Sequence, residues 1–414
     1  MPLDGKGHTV STSTIRSRTR TPARPEPSST RGRRTALALA TVGFAVNFWA
    51  WSLLSPLAPK YKDLLGLSSL SLSILVAVPV IVGSLGRIPL GVLTDRYGGR
   101  RMFAAVSLVC LVPVLFLAVA QSFPALLVGG FLLGLAGATF AIGVPFVSAW
   151  FPPERQGFAL GIYGMGNIGT AVSGFFSPRL YSAWGARAPY LVVAAFLLAV
   201  ALAFIVLGRD APQGAPSGES FMSRFRSALR LRITRDLALL YAVTFGGFVA
   251  FGVYLPAYLK TAYHLTVTDA ATRTAGFVVL ATLARPIGGW LADRLDGARV
   301  LQIVLGVVAL GAVTAAFTPV MPLLTVAMLS IGAALGIGNG VIFALVGQRG
   351  PAGRVGSMTG VIGTAGGLGG FLPPIVMGAI YEVTGSYAIG LMLLSDVALA
   401  ALVFTAWRLG HSTS

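Results

Sequence analysis

Residues 87–96 read RIPLGVLTDR, and residues 285–294 read RPIGGWLADR. In each, an arginine precedes an Asp-Arg pair by eight residues, and the two arginines stand 198 residues apart. Two further pairs keep the same order. Gly161 and Gly164 match Gly360 and Gly363 at nearly the same offset, and the GATF ending at Phe140 matches the GVIF ending at Phe343, offset by 203. One such match can arise by chance. Three in the same order imply a duplicated unit.

The medium around that unit follows from composition. Of 414 residues, 55% are hydrophobic and only 11% are charged, with a mean hydropathy of +0.80. A soluble domain carries roughly twice that charged fraction, so lipid must be the solvent for most of the chain. Twelve apolar runs have the length, roughly 20 residues, that spans a bilayer as a helix. They cover about 35–57, 68–92, 102–121, 123–149, 157–180, 188–208, 236–259, 270–292, 299–318, 320–346, 355–381 and 386–408. A membrane barrel would instead show alternating segments of roughly 10 residues. The expected fold is an all-α integral membrane protein with 12 transmembrane helices in two pseudo-symmetric six-helix bundles. Parallel repeats around a midplane site are a transporter architecture.

The segments outside the spans set boundaries and orientation. Residues 1–34 are rich in Ser, Thr, Pro and Arg and read as a disordered basic tail. Residues 35–208 are the expected N-terminal bundle, 209–235 a polar, basic cytoplasmic linker, and 236–409 the C-terminal bundle. The net charge of +18 resembles a nucleic-acid signal, but eight of the 31 Lys+Arg lie in the first 34 residues and most others in gaps between apolar runs. That is a topology signal, and no nucleic-acid partner is expected. With the tail in the cytoplasm, cytoplasmic segments hold 23 Lys+Arg against six outside. Both termini are therefore expected in the cytoplasm, with the chain a multi-pass protein of the cytoplasmic membrane.

The chemistry begins with the two remaining arginines. Arg87 and Arg285 lie about two helical turns from their Asp-Arg pairs, inside apolar runs. A charge at that depth costs at least about 2.5 kcal/mol. The bland alternative is a snorkelling side chain or a local carboxylate partner. Spans 2 and 8 offer no acid at this depth, and Asp396, in span 12, is the acidic residue well inside a run. A substrate that supplies the missing counter-charge is then a small anion, and planar guanidinium forks suit planar oxyanions.

The glycines of GMGNIG, residues 164–169, have the spacing of a dinucleotide-binding turn. Such a turn needs a preceding strand and an acid about 20 residues on, and this stretch is one apolar span with no acid near position 187. Gly164, Gly166 and Gly169 instead make small-residue faces that let helices approach closely, as do Gly363, Gly366 and Gly367 in span 11. Asn167 is a polar amide among those glycines that can donate to an anion. A Phe in lipid is ordinarily packing, but the repeat pairs Phe140 with Phe343, and two flat rings at the axis would form a slot for a flat solute. Tyr241, near the start of span 7, offers a hydroxyl to the same cavity.

In the loop GVLTDRYGGRR, Gly91 to Arg101, Asp95 can face a helix N-terminus or a neighbouring arginine, and Gly98 and Gly99 allow a tight turn. This loop is similar to the signature between spans 2 and 3 of the major facilitator superfamily, with Gly99 where a basic residue is common and Arg100 and Arg101 keeping the charge. GIYGMGNIGTAVSGFFSP in span 5 and GVIGTAGGLGGFLPP in span 11 resemble the two glycine-rich signatures of the nitrate/nitrite porter family within it. The resemblance covers about 35–410 and leaves the tail outside. It implies a secondary transporter of nitrate, nitrite or both. It implies that Arg87, Arg285, Phe140, Phe343, Asn167 and Tyr241 bind the anion, and that Asp95, Arg96, Arg100 and Arg101 form a gating loop.

Other classes remain to be weighed. Within transporters, the runner-up substrate is another small anion such as a short carboxylate. An enzyme would need an intramembrane nucleophile, acid–base pair or metal ligands. His8, His264 and His411 lie in the tail, an outside loop and the terminus, so neither a metal nor a cofactor is expected. A sensor would usually append a soluble domain, and a channel is harder to exclude, though the six-plus-six repeat favours a carrier. With no titratable group beside either arginine, exchange of nitrate for nitrite is expected over proton symport, by a monomer.

Overall fold

A computed structural model describes residues 1, 30–67, 69–211, 221–265, 267–351 and 354–409. Its elements are helical, and no strand occurs among the described residues. Among the described residues, ten helices are long and apolar enough to cross a membrane. The two expected spans outside that set have their own forms. Span 11 is the single helix Val355–Thr384. Span 5 is divided into Pro153–Gly164 and Ile168–Trp184 by a 3-10 turn at Met165–Asn167.

Boundaries differ from expectation in two places. The first helix is Thr30–Trp51, so it takes in the last residues of the segment read as tail, whose residues 2–29 lie outside the described set. The linker carries a helix of its own, Phe221–Arg230, which packs against Ser69–Tyr97 and Val355–Thr384. Arginines punctuate that helix while Ala228 is fully buried, an amphipathic arrangement suited to a surface.

The repeat read from sequence organises the contacts between the two bundles. The Ser69–Tyr97 helix (span 2) lies along Val355–Thr384, and Arg285–Arg294, the second part of span 8, lies along Pro153–Gly164. Both crossings are backbone on backbone. A Cβ on Gly91 would strike the carbonyl of Gly356, and one on Gly289 would strike the carbonyl of Gly157. Deeper in, Gly360 presses on the backbone of Arg87 and Ile88, and Gly161 on that of Arg285 and Pro286. Small residues are required at each of these positions, because any side chain would force the helices apart. At the opposite end, Gly174 and Gly276, on spans 5 and 8, meet nothing within 4 Å. The bundles are thus pressed together at the Asp95/Asp293 end.

Candidate functional site

Two acidic latches close that end. Asp95 accepts from the backbone amides of Gly356 (3.0 Å) and Ser357 (2.9 Å) and from the Ser357 hydroxyl (2.6 Å). Asp293 accepts from the amides of Gly157 and Phe158, each at 2.8 Å, and from the side-chain amide of Gln348, also at 2.8 Å. Each carboxylate belongs to one bundle and meets backbone amides of a helix in the other; Gly356 and Ser357 lie in the first turn of Val355–Thr384, where the helix dipole favours negative charge. The residue pairs obey the repeat offset.

The rest of the loop signature has a different task. Arg100 donates to the carbonyls of Phe204 (3.2 Å) and Ile205 (2.5 Å), satisfying the end of span 6, while its own amide meets Asp210 at 2.9 Å. Arg96 sits over the Tyr97 ring at 5.2 Å, and Arg101 is exposed. Among the described residues, Asp95 is the one of the four residues expected to gate whose bonds bridge the bundles. Asp95→Asn should slow transport about tenfold, since a hydrogen bond to a charged group contributes about 1.5–3 kcal/mol. The anion preference should not change, and a changed preference in transport competition would contradict this placement.

Deeper lie the two arginines, each 3% exposed. The Arg87 Nη1 donates to the Gly363 carbonyl at 2.6 Å, and the Arg285 Nη1 to the Gly164 carbonyl at 3.2 Å. The glycines that the repeat paired are therefore the acceptors, each in the opposite bundle from its arginine. Gly164 and Gly363 also make the room: a Cβ would stand 3.2 Å from Arg285 Cδ in the first case and 2.9 Å from Arg87 Cδ in the second. The other glycines singled out pack against neighbours: Gly166 on Phe44, Gly169 on the Ala45 carbonyl, Gly366 on the Tyr241 ring and Gly367 on Ser84.

These single bonds leave donors unmet. Arg87 Nε, Arg285 Nε and Arg285 Nη2 are buried without a hydrogen-bond partner, and neither guanidinium has a carboxylate within ion-pair distance among the described residues. Aromatic rings supply part of the environment. Arg87 lies over Phe140 at 5.8 Å and Phe245 at 5.7 Å; Arg285 lies over Phe245 at 5.8 Å and Phe248 at 5.7 Å. Phe245 is thus shared by both cations, an attraction worth about 0.5–2 kcal/mol per contact.

The structure brings the expected residues together with two changes in geometry. Phe140 and Phe343 do meet, but their centroids are 4.6 Å apart at 78°, edge to face, so their planes do not form a parallel slot. The ring quadrupoles favour this contact when the rings touch directly. Tyr241 stands edge-on to Phe343 at 4.7 Å. The Asn167 Nδ2 donates back to the Gly164 carbonyl at 3.0 Å, sharing the acceptor that Arg285 uses. That bond spans the 3-10 turn.

Phe245 and Phe248 were not singled out from the sequence. The signal that finds them is spacing: Tyr241, Phe245 and Phe248 fall at i, i+4 and i+7 on Arg232–Tyr263, one face of a helix. Asp396, the acid inside span 12, is exposed on Ala388–Leu409, whereas both arginines are buried.

Comparison with known proteins adds relatives to this geometry. A family model described as the Major Facilitator Superfamily matches residues 40–374. The chain is 46% identical over 381 residues to a Mycobacterium tuberculosis protein named probable nitrate/nitrite transporter NarK2, covering 91% of this chain and 96% of that one. It is 38% identical to a Bacillus subtilis protein named nitrite extrusion protein, covering 90% and 93% of the two chains. Among solved structures, the fucose:proton symporter FucP of E. coli superposes with a TM-score of 0.75 at 19% identity, over 91% of this chain and 99% of that one.

Proposed function

The chain belongs to the Major Facilitator Superfamily and, within it, to the nitrate/nitrite porter family, and from that membership we propose that it carries nitrate and nitrite across the cytoplasmic membrane by alternating access. The observation that carries the substrate reading is the set of unmet donors on two buried guanidiniums, one from each bundle. A solute that accepts hydrogen bonds on all sides and bears negative charge supplies what those donors lack. The aromatic walls of Phe140, Phe343, Tyr241 and Phe245 favour a small, weakly hydrated, flat anion. Asn167 completes the proposed binding set.

We take the bundles as 35–208 and 236–409, with both termini and the Asp95/Asp293 latches on the cytoplasmic side, as the lysine and arginine bias supports. The functional unit is the monomer, since both arginines of the site come from one chain. Turnover is exchange. Moving the bundles around two uncompensated buried charges is costly, and an anion carried in each direction removes part of that cost.

Thermal unfolding of the purified protein tests the substrate. Sodium nitrate and sodium nitrite should raise Tm in a concentration-dependent way, by ligand linkage of about 2.7 kcal/mol at 100 times Kd. Sodium chloride and sodium formate at equal ionic strength should not. Stabilisation by formate, with none by nitrate or nitrite, would replace this reading with a short-carboxylate carrier.

A further inference from the structure

Asn339 lies on Met321–Arg349, is 2% exposed, and has no hydrogen-bond partner among the described residues on either its amide nitrogen or its amide oxygen. Thr244, on Arg232–Tyr263, is fully buried, and its hydroxyl is also without a partner. The register of these two helices sets the residues level. At one height Leu335 packs on Gly247, 3.4 Å from where a Cβ would stand; two turns away Phe343 meets Tyr241. Asn339 falls midway between Leu335 and Phe343 at the four-residue spacing that keeps one helix face. Thr244 falls midway between Gly247 and Tyr241. Gly338 agrees with this register, since its Cβ would stand 3.2 Å from Thr244 Cγ2. On the other flank, Gly340 is pressed against the carbonyl of Arg285. Asn339 therefore stands between Thr244 and the Arg285 backbone, one turn from the ring that closes on Phe140.

We infer that Asn339, oriented by Thr244, contacts the transported anion and recognises the third oxygen of nitrate; this rests on the nitrate/nitrite reading above. An amide needs both an acceptor and a donor, and an anion offers acceptors alone. The Thr244 hydroxyl and Asn339 Oδ1 are not bonded in this structure, where both atoms are unpaired among the described residues; with an anion bound, the Thr244 hydroxyl turns to donate to Asn339 Oδ1, and Nδ2 donates to the anion beside Arg285. Each bundle then contributes one guanidinium and one amide: Arg87 with Asn167, and Arg285 with Asn339. The amides break the repeat. Span 4 has Ala136 at the position matching Asn339, and span 11 has Gly366 at the position matching Asn167. Two guanidiniums can engage both oxygens of nitrite. Nitrate has one oxygen more, and a donor outside the symmetric pair is placed to take it. A site built to bond a substrate atom discriminates against the analogue lacking it.

The test is binding of sodium nitrate and sodium nitrite to the purified full-length protein and to Asn339→Ala, Asn339→Leu and Thr244→Val variants. Asn339→Ala should raise Kd for nitrate about tenfold and for nitrite less than about threefold. Asn339→Leu replaces an unpaired amide with an apolar side chain of the same branching and heavy-atom number, so it should raise the Tm of the ligand-free protein while losing nitrate affinity to the same degree. Thr244→Val should shift the nitrate-to-nitrite affinity ratio in the same direction by a smaller factor, and this ratio decides if the leucine variant does not fold. A purely structural amide would lower ligand-free Tm on substitution and leave the ratio unchanged, and that result overturns the assignment. Wild-type protein that binds neither anion overturns the transport reading itself. Wild-type binding with an unchanged ratio in Asn339→Ala and Thr244→Val overturns only the role of Asn339.

Discussion

Arg285→Lys is expected to reduce transport by at least about 100-fold while leaving the protein inserted, and Arg87→Lys is expected to do the same. The magnitude follows from what a lysine cannot do. It keeps the charge, but one ammonium cannot hold a glycine carbonyl across the bundle interface and present a planar fork to an anion together. Two hydrogen bonds from a charged donor contribute about 1.5–3 kcal/mol each, and about 1.4 kcal/mol is a tenfold effect. The Gly164 carbonyl retains Asn167 Nδ2 as a donor in the first variant, so the lost function falls mainly on the anion. Uptake by purified protein in vesicles is the measurement, with reconstituted amount checked by immunoblot. Wild-type kinetics in either variant would remove that arginine from the site.

The second large effect concerns closure. Gly289→Leu should bring transport down to the background of empty vesicles, yet preserve anion-induced thermal stabilisation. A Cβ on Gly289 would collide with the Gly157 carbonyl and stand 3.0 Å from the Phe158 nitrogen. Backbone cannot move aside as a flexible side chain does, so spans 5 and 8 would separate and Asp293 would lose its bonds to Gly157 and Phe158. Gly306→Ala is the control, since its Cβ would meet only Leu402 Cδ1, at 3.6 Å, in ordinary contact. Normal turnover in Gly289→Leu would mean that this crossing does not need to close.

Much of this arrangement was legible from residues 87–96 and 285–294. An arginine in an apolar run is an anomaly that demands a partner, and its recurrence at a fixed offset locates the axis. The repeat also marked Gly164 and Gly363, but not their role. That they would accept from Arg285 and Arg87 is a property of helix approach across the bundles, which no local pattern carries. The 3-10 turn at Met165–Asn167 was hidden because neither a proline nor a charged residue interrupts residues 157–177. Arg100 read as part of a gate because its neighbours Asp95 and Arg96 did, whereas the fold turns it toward the carbonyls of span 6. Phe245 was one of 24 phenylalanines in a chain where lipid makes every phenylalanine ordinary. Asn339 carries no charge to mark it, and its unpaired state exists only once its neighbours are in place.

Exchange tests the central claim most directly: in the proposed mechanism, two buried guanidiniums without carboxylate partners among the described residues make a bound anion a condition for movement. The measurement is nitrate uptake into proteoliposomes of the purified protein, with no pH gradient, comparing vesicles preloaded with nitrite against empty ones. Preloaded vesicles should accumulate nitrate, and empty ones should not. Strong uptake by empty vesicles driven by an inward proton gradient would contradict this, and would make Asp396 and Tyr241 the first residues to examine as proton carriers.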